Sequence, residues 1–351
     1  HYVRSALFFV RLAQMRFPVL DHEPSMPAHV FAQMLESDTL DADAVARFRR
    51  IIEREGISLA SMLSPGAQLP IRWFREAYPA LDKEQAACIG YMAGEHARLT
   101  SYSLLSVPLV SAGSVSEVMR LLTFLPLISN VVQVRFLERE DAVLAMLSVD
   151  SGDPILDQIP LFYCASALTQ LLGLLSSESL DFSIHIMGPA PKPLAEHPEC
   201  LKGRLRFNAP MYFIRVPRQT LDAVCRFSDP MAYESAVNQL QALLADRCQS
   251  DDFLSRVRRI LEEGPGQLRM EQVIATLNLS ASTFKRRLAE MNTSFSALQE
   301  EVLSHRARLM LMDPALSLDQ VASHLGYSDL SNFSHAFKRW TGHSPGAFRR
   351  L

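Results

Sequence analysis

The stretch Ser317–Arg349 reads SLDQVASHLGYSDLSNFSHAFKRWTGHSPGAFR, and a shorter version of it, QVIATLNLSASTFKRRLAE, occupies Gln272–Glu290. The two stretches align first at an offset of 48 residues and then, after the serine that follows the turn, at an offset of 49. The later offset pairs Phe284 with Phe333. Self-similarity of this kind indicates a repeated structural unit. Because the offset grows by one residue, the second copy contains one extra residue in its turn.

Each copy has the layout of a helix-turn-helix: a short helix, a turn of three or four residues and a second helix. We expect Ser280 and Ser328 to cap the second helices, and Ser317 with Gln320 to form a capping box on the first helix of copy two. Apolar residues four apart predict one buried stripe on each second helix. The stripes are Phe284 with Leu288, and Phe333 with Phe337.

The opposite faces of these second helices carry side chains suited to DNA. Arg, Lys and Asn can address base edges in the major groove, and Ser or Thr can serve bases or phosphates. The residues predicted to bind DNA are Ser282, Thr283, Lys285, Arg286 and Arg287 in the first copy, and Ser331, Asn332, Ser334, His335, Lys338 and Arg339 in the second. Lys338 and Arg339, with Arg349 and Arg350 beyond them, suit phosphates better than bases.

Between the copies, residues 301–312 have a helical pattern that ends at Asp313 and Pro314. A rigid connector would fix the separation of the two recognition helices, which must be about 34 Å if they enter successive major grooves on one face of DNA. A single helix-turn-helix pattern also occurs in all-helical proteins that bind no nucleic acid. Two registered copies with a connector favour DNA binding.

Charge is distributed unevenly along the 351 residues, whose formal net charge is -3. Residues 253–351 contain 13 lysines and arginines against 9 acidic residues, whereas the rest of the chain contains 22 against 29. This basic surplus is modest and by itself would also fit a solvated surface. Length and this asymmetry predict two domains, residues 1–252 and residues 253–351, separated at a polar stretch over 249–252.

The stretch Ser317–Arg349 resembles the signature of the AraC/XylS family of bacterial regulators. The first copy and the segment HRARLMLM at His305–Met312 are similar to that family too. The resemblance implies a seven-helix DNA-binding domain over about 253–351, with recognition helices at about 281–290 and 329–340.

Two residues depart from the family pattern. Ile274 stands where the family usually has Ala, and Leu303 stands where it usually has Arg. The first departure would loosen helix packing, and the second would remove one phosphate or internal polar contact.

The region before residue 253 has the patterns of an α+β domain. Alternating residues predict a hairpin from 131–138 and 142–149, followed by strands at 182–187, 204–207 and 212–216. Helical patterns cover 42–54, 82–105, a segment capped by Ser114 with Glu117 completing a capping box, and 156–176.

The middle of the chain, from about Gly56 to Gln239, resembles the family's arabinose-binding-like domain through segments such as Ser101–Ser129 and Gly203–Pro217. That resemblance implies a sensing or dimerising role and does not establish arabinose as ligand. A helix over 231–248 places Val237, Leu240, Leu243 and Leu244 at helical spacing. This stripe could pack on its own domain or pair with a second copy, and with the family resemblance it motivates a predicted homodimer.

No catalytic motif appears in the sequence, which lacks a nucleophile elbow, a phosphate-binding glycine loop and an HExxH helix. We therefore expect no enzymatic activity, no cofactor and no metal site. His96 beside Glu95, and His185, are read as surface or core residues rather than acid–base or metal groups. The five widely spaced cysteines favour reduced thiols in the cytoplasm.

Core packing is also the preferred explanation for four residues that could instead line an apolar pocket: Tyr163, Cys164, Phe182 and Tyr212. The apolar opening stretch Tyr2–Met15 is too short and too charged for a membrane span and predicts a surface or core segment.

The function that these patterns predict is sequence-specific regulation of transcription, with double-stranded promoter DNA as partner. We also expect a homodimer. A small-molecule effector and RNA polymerase are candidate partners, and we expect no association with a membrane. An architectural DNA protein would carry more Lys and Arg and apolar wedges. An enzyme domain fused to a DNA-binding module would need a nucleophile or metal site.

Overall fold

The computed structural model describes residues 23–176, 179–196, 203–249, 253–291, 293–313 and 315–350. Within them the chain forms two compact units: the first ends at Gln249, and the described part of the second begins at Phe253. The opening stretch Tyr2–Met15 lies outside the described residues.

The first unit combines helices with two sheets. Its helices are α1 (Ala28–Glu36), α2 (Ala42–Arg54), α3 (Leu59–Met62), α4 (Trp73–Ala77), α5 (Lys83–Glu95), α6 (Ser106–Ser111), α7 (Val115–Leu121), α8 (Gln158–Leu175), α9 (Lys192–Ala195), α10 (Arg218–Leu221) and α11 (Pro230–Gln249). Two 3-10 helices cover Leu99–Leu105 and Leu122–Leu127. The expected helix over 42–54 is confirmed as α2.

The single helical pattern expected over 82–105 is wrong, because the chain leaves the helix after α5. Arg98 has extended backbone angles (φ −113°, ψ 164°), and its N–H donates to Ser101 Oγ at 3.1 Å. Ser114 does cap α7 as expected. The Glu117 carboxylate, however, accepts from the N–H of Gly113 at 2.6 Å, one residue before the expected capping-box partner.

Seven strands form two sheets. They are β1 (Ser25–Pro27), β2 (Gln68–Pro70), β3 (Val132–Glu138), β4 (Ala142–Val149), β5 (Ser183–Met187), β6 (Leu205–Ala209) and β7 (Phe213–Pro217). The larger sheet has the order β3-β4-β7-β5-β6, in which β5 and β6 run parallel and the other neighbours antiparallel. The predicted hairpin and the three later strands are confirmed. The short antiparallel pair β1–β2 was not predicted.

Helix α8 forms the centre of the first unit, where it packs on α5 and contacts β4. Its length and composition would also suit a membrane span, but 67% of it is buried inside the unit. It is therefore placed as a core helix.

Helix α11 uses its apolar stripe within the same unit. Val237, Leu240 and Leu244 are buried in the core, and the helix contacts α6 and the 3-10 helix at 122–127. Leu243 is exposed, contrary to its expected place in the stripe. The intramolecular alternative is thus correct, and this stripe is not free to form a dimer.

The second unit consists of helices in its described part. They are α12 (Phe253–Glu263), α13 (Met270–Leu277), α14 (Ala281–Glu290), α15 (Phe295–Leu311), α16 (Leu318–His324), α17 (Leu330–Thr341) and α18 (Pro345–Arg350). This arrangement confirms the fold class expected from the sequence: an α+β unit followed by an all-α unit with two helix-turn-helix motifs.

The connector α15 supplies residues to two separate hydrophobic cores. Leu298 and Val302 join the core that surrounds Phe284, whereas Leu303 and Leu311 join the core that surrounds Phe333. One continuous helix therefore holds both helix-turn-helix motifs.

Candidate nucleic-acid interface

The first helix-turn-helix consists of α13, a turn over 278–280 and α14. Asn278 ends α13 in the left-handed region (φ 53°), which Asn tolerates better than most residues. The Ser280 hydroxyl accepts from the N–H of Thr283 at 3.2 Å, as predicted for the N-cap of α14. Such a cap satisfies one of the free amides at the helix start and fixes where the recognition helix begins.

The second helix-turn-helix consists of α16, a turn over 325–329 and α17. The predicted capping box on α16 is present: Ser317 Oγ accepts from Gln320 N–H at 3.1 Å, and Gln320 Oε1 accepts from Ser317 N–H at 2.7 Å. The expected cap on α17 is wrong. Asp329, and not Ser328, accepts from the N–H of Asn332 at 2.7 Å.

The position of this cap follows from the extra residue in the second turn. Ser328 instead donates its hydroxyl to Asp329 Oδ2 at 3.0 Å. The insertion therefore lies before the cap, so the offset of 49 already applies there and Asp329 is the counterpart of Ser280. The backbone bond to Asn332 and the Ser328 hydroxyl lower the pKa of Asp329.

Both recognition helices bury the predicted apolar stripe. Phe284, Phe333 and Phe337 are inaccessible to solvent, and Leu288 is nearly so. Phe284 packs edge-on against Phe253, with ring centroids 5.6 Å apart, and Phe337 packs edge-on against Phe348 at 5.2 Å. These contacts fix the rotation of each helix about its axis and thereby determine which face points outward.

The predicted DNA-binding side chains are found on the outward faces. All of them are exposed except Thr283 and Ser334, which are half-buried. The exposed residues are Ser282, Lys285, Arg286 and Arg287 on α14, and Ser331, Asn332, His335, Lys338 and Arg339 on α17.

Several side chains on α14 have protein partners. Arg286 Nη1 lies 2.7 Å from Glu290 Oε1, one turn further along the helix. The Arg287 guanidinium lies over the Phe253 ring, 5.5 Å from its centroid, and Thr283 Oγ1 lies 2.8 Å from Ser280 Oγ. Arg286 is the side chain more readily released to a ligand, because an exposed i, i+4 ion pair contributes little to stability.

Side chains on α17 are less highly charged. Asn332 Nδ2 donates to Asp329 Oδ2 at 2.6 Å and is thereby oriented at the helix start. Arg339 forms an ion pair with Glu300 of α15, which gives it a structural role in addition to its expected role at phosphates. The first turn of this helix also presents Ser331, and its middle presents Ser334 and His335.

The loop between α12 and α13, which leads into the first motif, packs against the second motif. Gly266 lies against Gly326 of the second turn, and a Cβ atom on Gly266 would come within 2.9 Å of Gly326 Cα. Both glycines have positive φ, 59° and 81° respectively, so the loop needs glycine for conformation as well as for space. Arg306 Nη1 of α15 also donates to Gly264 O at 3.0 Å. The loop that leads into the first motif is therefore in direct contact with the turn of the second motif.

Sequence reasoning missed four residues that shape this interface: Glu290, Glu300, Asp329 and Gly266. The i, i+4 spacing of Arg286 and Glu290 could have revealed the ion pair between these two residues. The offset of 49 could have placed the cap at Asp329. Glu300 and Gly266 act through contacts between distant parts of the chain, which no local pattern shows.

The two departures from the family pattern are both buried. Ile274 packs in the first core at 9% exposure, and Leu303 in the second at 4%. The leucine at position 303 therefore fills apolar space between α15 and the second motif.

The two histidines that the sequence singled out, His96 and His185, differ in their surroundings, and His185 Nε2 lies 3.0 Å from Ser183 Oγ. His96 is exposed, and its Nδ1 lies 2.9 Å from the carbonyl oxygen of Met92. His185 stacks on Phe213 with ring centroids 4.1 Å apart, and burial lowers its pKa to about 4. Among the residues that the structure describes, no three His, Cys, Asp or Glu residues are grouped to hold a metal ion.

Comparison with known proteins gives two family matches. Residues 273–351 match the helix-turn-helix domain, and residues 46–224, about half of the chain, match the arabinose-binding domain found at the N-terminus of AraC transcription regulators.

Two relatives and one solved structure are similar to this chain at low sequence identity. The ornithine utilization regulator of Pseudomonas aeruginosa is 28% identical over 170 residues, which cover 48% of this chain and 50% of that protein. An uncharacterized HTH-type transcriptional regulator of Mycobacterium bovis is 26% identical over 75% of this chain and 79% of its own length. The crystal structure of the transcriptional regulator CdpR from Pseudomonas aeruginosa covers 89% of this chain and 99% of its own, with 21% identity and a TM-score of 0.40. With two matched domains in the expected order, the chain belongs to the AraC family of DNA-binding transcriptional regulators.

Proposed function

We propose that this regulator binds promoter DNA sequence-specifically by placing α14 and α17 in successive major grooves. The observation that carries the proposal is the pair of capped helices, each fixed by a buried apolar stripe and each exposing a row of polar side chains. Arg286 is proposed to address a guanine, and Asn332 an adenine, because these side chains match the acceptor and donor patterns of those bases.

The phosphate contacts are assigned to the side chains at the margins of these faces. Lys285, Arg287, Lys338 and Arg339 carry positive charge beside the proposed base readers, where contact with the DNA backbone would set the orientation of the unit. Ser282, Thr283, Ser331, Ser334 and His335 complete the proposed interface.

The first unit is proposed to regulate this binding in response to a small effector and to form the homodimer. Its match to an effector domain of AraC regulators supports the first role. The dimer is a prediction from family resemblance alone, since the stripe of α11 is buried in its own unit. The regulator is further proposed to contact RNA polymerase and to act in the cytoplasm, where bacterial promoters lie.

The test is selection of genomic fragments by the full-length protein, followed by titration of the selected site and of random DNA at one stated salt concentration. A specific regulator should bind the selected site roughly 10³-fold or more tightly. A ratio near one would contradict the proposal and favour an architectural protein. Light scattering at micromolar concentration, with and without DNA, tests the dimer; a strict monomer in both samples would exclude it.

A further inference from the structure

The loop over residues 264–269, which we call the brace, connects α12 to α13 and leads into the first helix-turn-helix. Both ends of the brace are bonded to the connector α15. Arg306 Nη1 donates to Gly264 O at 3.0 Å, and Gln299 Nε2 donates to Leu268 O. Because these two donors are about two helical turns apart on one side of α15, the brace lies along the connector.

The middle of the brace lies against the turn of the second motif. A Cβ atom on Gly326 would lie 2.8 Å from Gln267 N, and a Cβ atom on Gly266 would lie 3.0 Å from Gly326 N. These neighbours are backbone atoms, which cannot rotate aside as the end of a side chain can. A side chain at either glycine would therefore separate the brace from the second turn.

The connector alone constrains the two motifs less tightly. Its first half packs in the core around Phe284 and its second half in the core around Phe333, and these are separate clusters. Long helices bend gently, so a helix held only at its two halves leaves some freedom between them. The brace adds a second connection, which joins the start of α13 to the turn before α17. It thereby fixes the separation and the angle of α14 and α17.

DNA converts a change of spacing into both a distance and a rotation. One added base pair moves a contacted segment by about 3.4 Å along the axis and turns it by about 35°. A hydrogen bond to a base edge spans only about 3 Å between heavy atoms. Two recognition helices with a fixed separation therefore cannot keep both sets of base contacts when the spacing changes by one base pair.

We propose that the contact between Gly266 and Gly326 determines which spacing of the two DNA segments the regulator accepts. The two glycines are then specificity-determining residues that touch no base. This inference rests on the proposed function, in which α14 and α17 enter successive major grooves. The contact itself forms without DNA, so its effect on the protein is measured separately.

The first measurement is binding of the full-length protein to its selected site and to versions with one base pair added or removed between the two protected segments. The unaltered protein should bind both altered sites about tenfold or more weakly, since the base contacts of one helix are lost. Gly326→Ala should remove most of this difference, because the brace no longer fits against the turn.

Gly342→Ala is the matched control. The φ angle of Gly342 is 78° and that of Gly326 is 81°, so both substitutions impose similar backbone strain. A Cβ atom on Gly342, however, would meet nothing within 4 Å beyond its chain neighbours. This variant should keep the preference for one spacing. If Gly326→Ala does not fold, Gln299→Met replaces it; this variant removes one bond to the brace without backbone strain and should weaken the preference in the same direction.

The second measurement uses the protein without DNA and records the distance between the motifs by pulsed electron paramagnetic resonance. Spin-labelled unnatural amino acids replace Glu271 and Asp319, which are exposed at equivalent positions in the first turns of α13 and α16. Labelled chain is diluted into unlabelled chain, so that only distances within one chain are recorded. We expect one narrow distance in otherwise unaltered protein and in Gly342→Ala, and a longer or broader distribution in Gly326→Ala.

The outcomes separate this inference from the proposed function. The inference is overturned by an unchanged distance or an unchanged spacing preference in Gly326→Ala, or by an equal effect of Gly342→Ala. It is also overturned, while the proposed function stands, if the unaltered protein selects specific DNA but accepts all three spacings. If the distances change as expected but no specific site is selected, the contact holds the motifs as inferred and the proposed function falls.

Discussion

The two helix-turn-helix motifs share one design but distribute charge differently. In α14 the cations Lys285 and Arg286 occupy the middle of the helix and Arg287 follows in the last turn, whereas in α17 both cations, Lys338 and Arg339, occupy the last turn. The recognition helix of the first motif starts at a serine cap and that of the second motif at an aspartate cap. The two motifs therefore share the buried stripe and differ in the side chains that they expose.

This difference indicates a division of roles. A helix with charge at its centre gains affinity from phosphates and from guanine, while a helix with Asn in its first turn and Ser and His at its centre relies on hydrogen bonds to base edges. We expect the first motif to contribute more to affinity and salt dependence, and the second more to the choice of sequence. The following predictions test that division, beginning with the largest effect.

Truncating the buried phenylalanine of either motif should destabilise that motif selectively. Phe284→Ala and Phe333→Ala should each cost about 3 to 5 kcal/mol in the free energy of unfolding, because each leaves a cavity in its own core. Hydrogen exchange should show lost amide protection mainly within the altered motif. Equal loss of protection in both motifs would mean that α15 couples them into one cooperative core.

Removing the central arginine of α14 should reduce affinity for the target site. Arg286→Ala should cost about 1 to 3 kcal/mol and relax the preference at one or two base pairs. The ion pair with Glu290 has little effect on this result because the pair is largely exposed. The measurement is a titration against the target and its single-base variants at several salt concentrations.

Arg350→Ala is the matched control, since Arg350 lies in α18, beyond both recognition helices. It should weaken binding to all sequences alike and reduce the salt slope by at most about one unit. An even loss across all sites for Arg286→Ala, together with a changed base preference for Arg350→Ala, would contradict the placement of α14 in the groove.

The two caps should respond differently to acid. Ser280→Ala should cost about 1 kcal/mol at any pH. The folded-state pKa of Asp329 is lowered, so its stabilisation is complete above the ordinary value of 3.8 and is lost as the pH falls through the lower folded value. Thermal melts across this range should show added acid sensitivity that Asp329→Ser removes. Acid sensitivity unchanged in Asp329→Ser would rule out this role.

Sequence patterns predicted the features that depend on local spacing. The buried stripes, the Ser280 cap, the Ser317–Gln320 box and the β3–β4 hairpin all follow from residues within a few positions of one another. The aspartate cap was missed because the inserted residue was assigned to the wrong side of the cap. This error came from the choice of alignment, and the helix signal itself was correct.

Features that depend on distant contacts could not be predicted in this way. The close approach of Gly266 and Gly326 and the pairing of Arg339 with Glu300 join segments tens of residues apart. The stripe of α11 was recognised, but its periodicity is the same whether it packs on its own unit or on a second copy. Tyr163 and Cys164 line a cavity in the first unit, although core packing was the preferred explanation for them, and no spacing of apolar residues shows where a cavity will lie.

The most direct test of the account is the affinity of the full-length protein for a target in which five base pairs are inserted between the two protected major-groove segments. Such an insertion turns one segment by about half a helical turn relative to the other. Because α15 and the Gly266–Gly326 contact hold the motifs together, only one recognition helix should then reach its bases. The account predicts a loss of most specific affinity, while the same insertion placed outside the protected segments has no effect. Unchanged affinity for the internally lengthened site would contradict the claim that the two motifs read DNA together.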